Sequence, residues 1–322
     1  MGMLVRGQWT DQWYDTDAND GAFEREASVF RNWITADGEA GPSGRGGFAA
    51  ASGRYHLYVS LACPWAHRTL ILRKLKGLEG MIGVSVVHPH MLEHGWAYRD
   101  EDGADAEPHY GYDYHWQFYT HAKADYSGRV TVPLLWDLQQ QTIVSNESAD
   151  IIRMFNSAFD ALTGNQLDFY PAALRSQIDQ INDEVYEHIN NGVYRCGFAT
   201  RQAAYEQAYR ALFAALDRME QRLERGGPYL LGETQTEADW RLFSTLLRFD
   251  PVYHGHFKCN RQRISDYPAL SAYLQRLLAV PGVADTVNLQ HIKQHYYYSH
   301  SSINPHRIVP LGPEPALPEG PA

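Results

Sequence analysis

The sequence predicts an α/β domain followed by an all-helical one. Three observations lead there. Strand and helix patterns alternate up to about residue 160, helical spacing alone fills the chain beyond residue 170, and 322 residues is a length for about two domains. Hydrophobic residues make up 44% and charged residues 20%, enough apolar material for a sizeable core. The formal net charge of −10 argues against nucleic acid as a partner and against an anionic membrane surface. No apolar run reaches the roughly 18 residues of a membrane span. The stretch from Met1 to Asp20 lacks a signal-like apolar core. Three cysteines at wide spacing are no disulfide framework, so a reducing, cytoplasmic setting is expected.

Residues 1–50 read as an irregular arm, and "GEAGPSGRGGFAAASGR" is loop-like. "RYHLYVS", from Arg54 to Ser60, alternates and reads as a strand. A helix follows from Pro64 to about Lys76, with Leu70, Ile71 and Leu75 on its apolar stripe and Gly77 at its end. "GVSVVHP" from Gly83 is a second strand. Residues 90–128 break the pattern and read as an insertion or a lid. "RVTVPLLWD" from Arg129 is a third strand with a proline inside it, and "TIVSN" from Thr142 a fourth. "ESADIIRMFNSAF" has helical spacing. A parallel βαβ half and an antiparallel ββα half make the thioredoxin arrangement, here over residues 51–160. From 170 to 322, helices are expected near 172–191, 201–225, 236–249, 268–279 and 285–296, then an extended Pro-rich tail. "TEAD", from Thr236 to Asp239, is a capping box. The whole is an N-terminal thioredoxin-like domain followed by a C-terminal all-helical glutathione transferase domain.

"SLACPWAHRT" carries the chemistry. Cys63 lies between strand and helix, and Pro64 suits the first helical position. A thiol at a helix N-terminus is favoured as thiolate. His67 and Arg68 are candidates to add positive field. Ala66 stands where a C-x-x-C motif has its second cysteine. The resolving thiol must therefore come from solution, and glutathione is the abundant one. The bland alternative is a buried, inert cysteine. Pro133 reads as an edge position or a cis turn. Resemblance to thioredoxin-like domains implies a cis proline facing the cysteine, with the residue before it, here Val132, pairing main chain with the ligand. Glu147 and Ser148 open the next helix, where a free α-carboxylate can dock on backbone N–H groups and a carboxylate can hold an α-ammonium. Plain N-capping is the alternative. His254, His256 and Cys259, and His88, His90 and His94, match no zinc spacing, and no metal is expected.

Four passages resemble the glutathionyl-hydroquinone reductases, the xi class of glutathione transferases. They are "YVSLACPWAHRTLILRKLKGLE", "VTVPLLWD…TIVSNESADIIRMFN", "FDPVYHGHFKCN" and "IKQHYYYSHSSINPHRIVPLGP". The resemblance implies glutathione-dependent reduction of glutathionyl-hydroquinones to hydroquinones through a Cys63–glutathione mixed disulfide. It implies glutathione contacts from Trp96, Arg129, Val132, Glu147 and Ser148. It implies tyrosines around the quinol at Tyr194, Tyr253 and Tyr296, and a homodimer. The rival readings are an omega-like thiol transferase or dehydroascorbate reductase, and a binding module without turnover.

Overall fold

The computed structural model describes residues 2–313. In chain order it contains β1 (Met3–Val5), β2 (Gln8–Thr10), β3 (Tyr55–Val59), α1 (Pro64–Leu75), β4 (Ile82–Val86), α2 (Trp116–Ala122), β5 (Gly128–Arg129), β6 (Leu134–Asp137) and β7 (Thr142–Ser145). Then follow α3 (Ser148–Ser157), α4 (Asp160–Thr163), α5 (Arg175–Glu184), α6 (Asn191–Phe198), α7 (Gln202–Gly226), α8 (Glu237–Arg248), α9 (Pro268–Leu278) and α10 (Leu289–Ser299). Two π-helical turns, Val185–Asn190 and Phe249–Tyr253, sit before α6 and after α8. The chain divides into two compact units. The first holds Met1–Trp13, Glu26–Leu167 and Asn288–His295; the second holds Tyr14–Arg25, Asp168–Val287 and the chain from Tyr296 on.

The first unit has the expected sheet. Its order is β4-β3-β6-β7, with β3 parallel to β4 and antiparallel to β6. β3 is buried along its whole length, so its side chains face protein on both sides. α1 and α3 pack on one another. Arg54 clamps the sheet's end, its Nε and Nη2 both on the fully buried Asp137 carboxylate, the shorter contact at 2.6 Å.

Two expectations are corrected here, and the 90–128 insertion gains a structure. The arm is not irregular throughout: β1 and β2 form a hairpin, and β1 pairs with β5 in a second, three-stranded sheet. Its next segment docks along β7, where Asn32 N–H donates to Val144 O and Phe30 exchanges bonds with Asn146. The expected strand from Arg129 is two strands, because Pro133 lacks the N–H a ladder needs and its peptide with Val132 is cis. Residues 90–128 contain α2 and give Met91, Trp96, Tyr98, Phe118, Tyr119 and Tyr126 to one buried cluster, so they are packed structure.

The second unit is helical, with no named strand among the described residues. The helix expected near 172–191 runs on through a π turn to Phe198. The helix expected near 285–296 is set later, at Leu289–Ser299. The Pro-rich tail lies in part beyond residue 313, outside the described residues. The capping box forms: Thr236 N–H donates to Asp239 at 2.7 Å. Asp239 also accepts from Leu230 N–H and the Tyr273 hydroxyl, at 3.0 and 2.9 Å. These bonds tie the start of α8 to the loop before it and to α9. Asp239→Ala loses the cap and strands two buried donors. We expect a stability loss of roughly 2–4 kcal/mol, read as a lower urea midpoint. An unchanged midpoint refutes this account.

Candidate functional site

The thiol site belongs to the first unit. Cys63 is the N-cap of α1, in extended conformation, with Pro64 as the first helical residue. Its carbonyl accepts the first intrahelical bond, from His67 N–H at 2.9 Å. The Sγ lies 3.5 Å from the Val132 carbonyl and is in position to donate to it. Cys63 is partly exposed, while Cys196 and Cys259 are buried, and none of the three is in a disulfide. The cis peptide at Pro133 thus turns the Val132 main chain toward the cysteine, as expected.

The start of α3 is held by a buried cation. Arg68, on α1, donates from Nε and Nη2 to the Ser148 hydroxyl at 3.0 and 2.7 Å. Its Nη2 also lies 3.6 Å from the Glu147 carboxylate. Glu147 is the N-cap and accepts from Ala149 N–H at 2.9 Å and from the Ser28 hydroxyl at 3.0 Å. The cap is Glu147, where plain capping was expected of Asn146 or Ser148, and the Ser148 hydroxyl accepts from arginine and keeps a proton to donate. Arg31 adds a bidentate pair with Asp150 one turn further on.

Trp96 and Arg129 sit deeper than expected of ligand contacts. Trp96 is buried, stacked on His295 at 4.7 Å, and shares a cluster with Val132 and Cys63. Arg129 extends from β5 to the arm, donating to the Gln12 carbonyl and to the Trp13 carbonyl at 3.1 Å, with Glu26 3.4 Å away.

In the second unit the three predicted tyrosines come together. The Tyr296 hydroxyl is 2.6 Å from that of Tyr194 and 2.9 Å from that of Tyr253. α6, the π turn after α8 and α10 each supply one. Gly197 makes room for this: a Cβ there would fall 2.2 Å from the Phe257 ring, which itself packs on Tyr194, Tyr253 and Tyr296.

The comparisons with known proteins agree on one family. Sequence models of the glutathione S-transferase N-terminal and C-terminal domains match residues 62–158 and 202–276. Glutathionyl-hydroquinone reductase YqjG of Escherichia coli K12 is 57% identical over 97% of this chain and 95% of its own. Glutathionyl-hydroquinone reductase PcpF of Sphingobium chlorophenolicum is 51% identical over 99% and 98%. The chain belongs to the glutathionyl-hydroquinone reductases, the xi class of glutathione transferases. The glutathione-bound structure of YqjG matches with a TM-score of 0.91, over 99% of this chain and 97% of that one, at 53% identity. The xi-class transferase of Phanerochaete chrysosporium matches at 0.87 and 51% identity, over 92% and 99%.

Electrostatics sort the reductase's groups. Burial pushes the Tyr253 and Tyr296 hydroxyls well above the ordinary tyrosine range; Tyr194 adds to this at both and Tyr253 adds to it at Tyr296, while Arg248 opposes it at both and the bond with Tyr296 opposes it at Tyr253. Both stay neutral donors at physiological pH. Burial also raises Glu147, but the Arg68 charge, Ala149 N–H, the Ser28 hydroxyl and Arg31 outweigh it and hold the carboxyl below its ordinary value. Sequence reasoning set Arg68 beside the thiol; the structure gives its side chain to Ser148 and Glu147. Ser28 was missed altogether, because its segment carries no periodic signal.

A depressed carboxyl contributes stability that is present above its unfolded-state pKa and lost as pH falls through the folded value. The Glu147 contacts should therefore survive down to the ordinary glutamate range and fail below it. Carboxyl-carbon NMR of the protein against Glu147→Gln identifies the resonance and its midpoint. Arg68→Met should move that midpoint upward, and a midpoint insensitive to Arg68 sinks the assignment.

Proposed function

We propose that this chain reduces glutathionyl-hydroquinones to hydroquinones at Cys63, with glutathione as co-substrate. The observation that carries the reading is a partly exposed cysteine at the N-cap of α1, against the carbonyl that precedes a cis-proline, in a chain of this family. A helix N-terminus favours the thiolate, which is the nucleophile. Val132 would pair main chain with bound glutathione. Glu147 and Ser148 would receive its γ-glutamyl head, and Trp96 and Arg129 would complete the glutathione contacts. The partner roles of a reducing, cytoplasmic setting and a homodimer belong to the same proposal. Light scattering should give about twice the 36.6 kDa of one chain.

A phenol proton of the glutathionyl-hydroquinone moves to the sulfur-bearing ring carbon, giving the keto form. The Cys63 thiolate attacks the sulfur. The sulfur–carbon bond then breaks, its electron pair passes into the ring and onto the ring oxygen, and that oxygen takes up a proton. Free hydroquinone leaves, and Cys63 holds glutathione in a mixed disulfide. The thiolate of a second glutathione attacks the glutathione sulfur of that disulfide. Glutathione disulfide leaves and Cys63 returns as thiolate. The ring carbon is reduced by two electrons and two glutathione sulfurs are oxidised. Ala66 is consistent with this order, since no neighbouring thiol competes for the mixed disulfide.

Charge builds on the ring oxygens as the bond breaks. Tyr194, Tyr253 and Tyr296 would meet it with neutral hydroxyls, the kind of preorganised donor that acts mainly in the transition state. An omega-like thiol transferase needs only Cys63 and glutathione, and would not use the tyrosines.

Steady-state turnover of glutathionyl-menadione with excess glutathione tests the reading, with a simple mixed disulfide as the second substrate. Cys63→Ala and Cys63→Ser should each lose quinol release by roughly a thousandfold or more while binding glutathione normally. Retained turnover removes Cys63 as nucleophile, and turnover of the simple disulfide alone favours the thiol transferase. Tyr296→Phe should slow quinol release by roughly tenfold to a hundredfold with little change in the KM for glutathione. Unchanged rates would return Tyr296 to core packing.

A further inference from the structure

α2 takes no part in the reaction above, yet it aims two buried side chains at one carbonyl. His115 stands at its N-cap and Tyr119 lies four residues on, so both project from one face. The Tyr119 hydroxyl donates to the Thr131 carbonyl at 2.9 Å, and His115 Nε2 donates to the same oxygen at 3.1 Å. His115 Nδ1 accepts from the Tyr98 hydroxyl at 2.7 Å, which fixes the ring. Burial holds His115 down to about 4, so it is neutral at physiological pH. The Tyr119 oxygen also accepts twice, from Thr131 N–H at 3.1 Å and from Asn146 Nδ2 at 3.3 Å. These three bonds match a phenol's one proton and two lone pairs. Thr131 precedes Val132, whose carbonyl lies 3.5 Å from Cys63 Sγ. Asn146 precedes Glu147, the N-cap of α3, and its Oδ1 accepts from Phe30 N–H of the arm at 3.1 Å. One buried oxygen thus joins the cis-proline loop to the start of α3.

We propose that Tyr119 is a positioning residue for glutathione: its hydroxyl holds the Thr131–Val132 main chain and the start of α3 at one fixed spacing, so that a bound tripeptide meets both sets of partners already in place. This rests on the glutathione site of the reductase reading. Val132 would pair with the glutathione main chain, and Glu147 and Ser148 would receive its γ-glutamyl head. A ligand that spans both gains from both only if their spacing holds. Loops free to shift would have to be ordered on binding, at a cost in affinity. Tyr119 is fully buried and acts only through these loops.

The test uses the full chain and three readouts. They are the dissociation constant for glutathione by calorimetry, kcat and KM on glutathionyl-menadione, and the rate at which iodoacetamide alkylates Cys63. Tyr119→Phe keeps the ring among Phe30, His115 and Tyr126 and removes the hydroxyl. Glutathione should bind roughly tenfold more weakly. The KM for glutathione should rise with it, while kcat at saturation stays within about threefold. Alkylation should stay within about twofold of wild type, because the thiol and its helix N-terminus are untouched. Glu147→Gln should cost less affinity in Tyr119→Phe than in wild type, since both act at the start of α3. The proposal is overturned by wild-type glutathione affinity in Tyr119→Phe, or by losses that add with Glu147→Gln. It is also overturned if affinity, kcat and alkylation fail together, the mark of general damage. Should Tyr119→Phe not fold, Asn146→Ala decides it, because it cuts the link to α3 and leaves the bonds at Thr131. Its glutathione affinity should then fall roughly threefold with alkylation unchanged, and wild-type affinity overturns the proposal. Wild type that never releases hydroquinone would refute the reductase reading itself, a result distinct from all of these because glutathione affinity is read without turnover.

Discussion

The first unit depends on where one buried guanidinium goes. Arg68 rises from α1, the helix that Cys63 caps, and ends on the first residues of α3. A buried arginine is stable only when its donors are met, and here a hydroxyl and a carboxylate meet them. The consequence is geometric. The two helix N-termini of the site, one bearing a thiol and one bearing a serine hydroxyl, are tied by this side chain as well as by the packing of α1 on α3. Replacing it by lysine would keep the charge but lose the planar fork that serves both partners. Arg31 and Ser28, from the arm, close the same helix start from the other side. The arm is therefore part of the site's support.

The second unit solves a different problem with neutral groups. Three phenols are brought from three separate elements to within hydrogen-bonding distance. Two of these elements carry a local irregularity. α6 follows a π turn, Tyr253 ends another, and Gly197 lets the Phe257 ring close on α6. π turns recur at functional sites because an extra residue per turn re-aims side chains.

Much of this was legible in the sequence. Strand, Pro64-led helix and strand around Cys63 sit within three residues of their predicted limits, because periodicity and caps are local signals. The capping box at Thr236 needed only four residues to announce itself. What was not legible depends on distant partners. β1 exists because β5 is there to pair with it, and a three-residue strand has no pattern of its own. Residues 90–128 looked irregular because they fold around aromatic contacts instead of a repeating stripe. The tyrosines were named from family resemblance. No spacing rule brings Tyr194, Tyr253 and Tyr296 together, since their meeting depends on how α6, α8 and α10 pack.

On the proposed function, charged and neutral groups would suit different steps of the reaction. Glutathione carries fixed charges at neutral pH, and fixed charges suit helix N-termini, arginine and glutamate, the groups proposed for it at the start of α3. A hydroquinone is neutral until its carbon–sulfur bond begins to break. Strong cations against its oxygens would bind the resting substrate as well as the transition state and gain little in rate. Buried, neutral phenols donate weakly to a neutral ring oxygen and more strongly as that oxygen acquires charge. On the proposed function, burial that holds Tyr253 and Tyr296 protonated would be a condition for selectivity, since an ionised phenol could only repel the charge that develops.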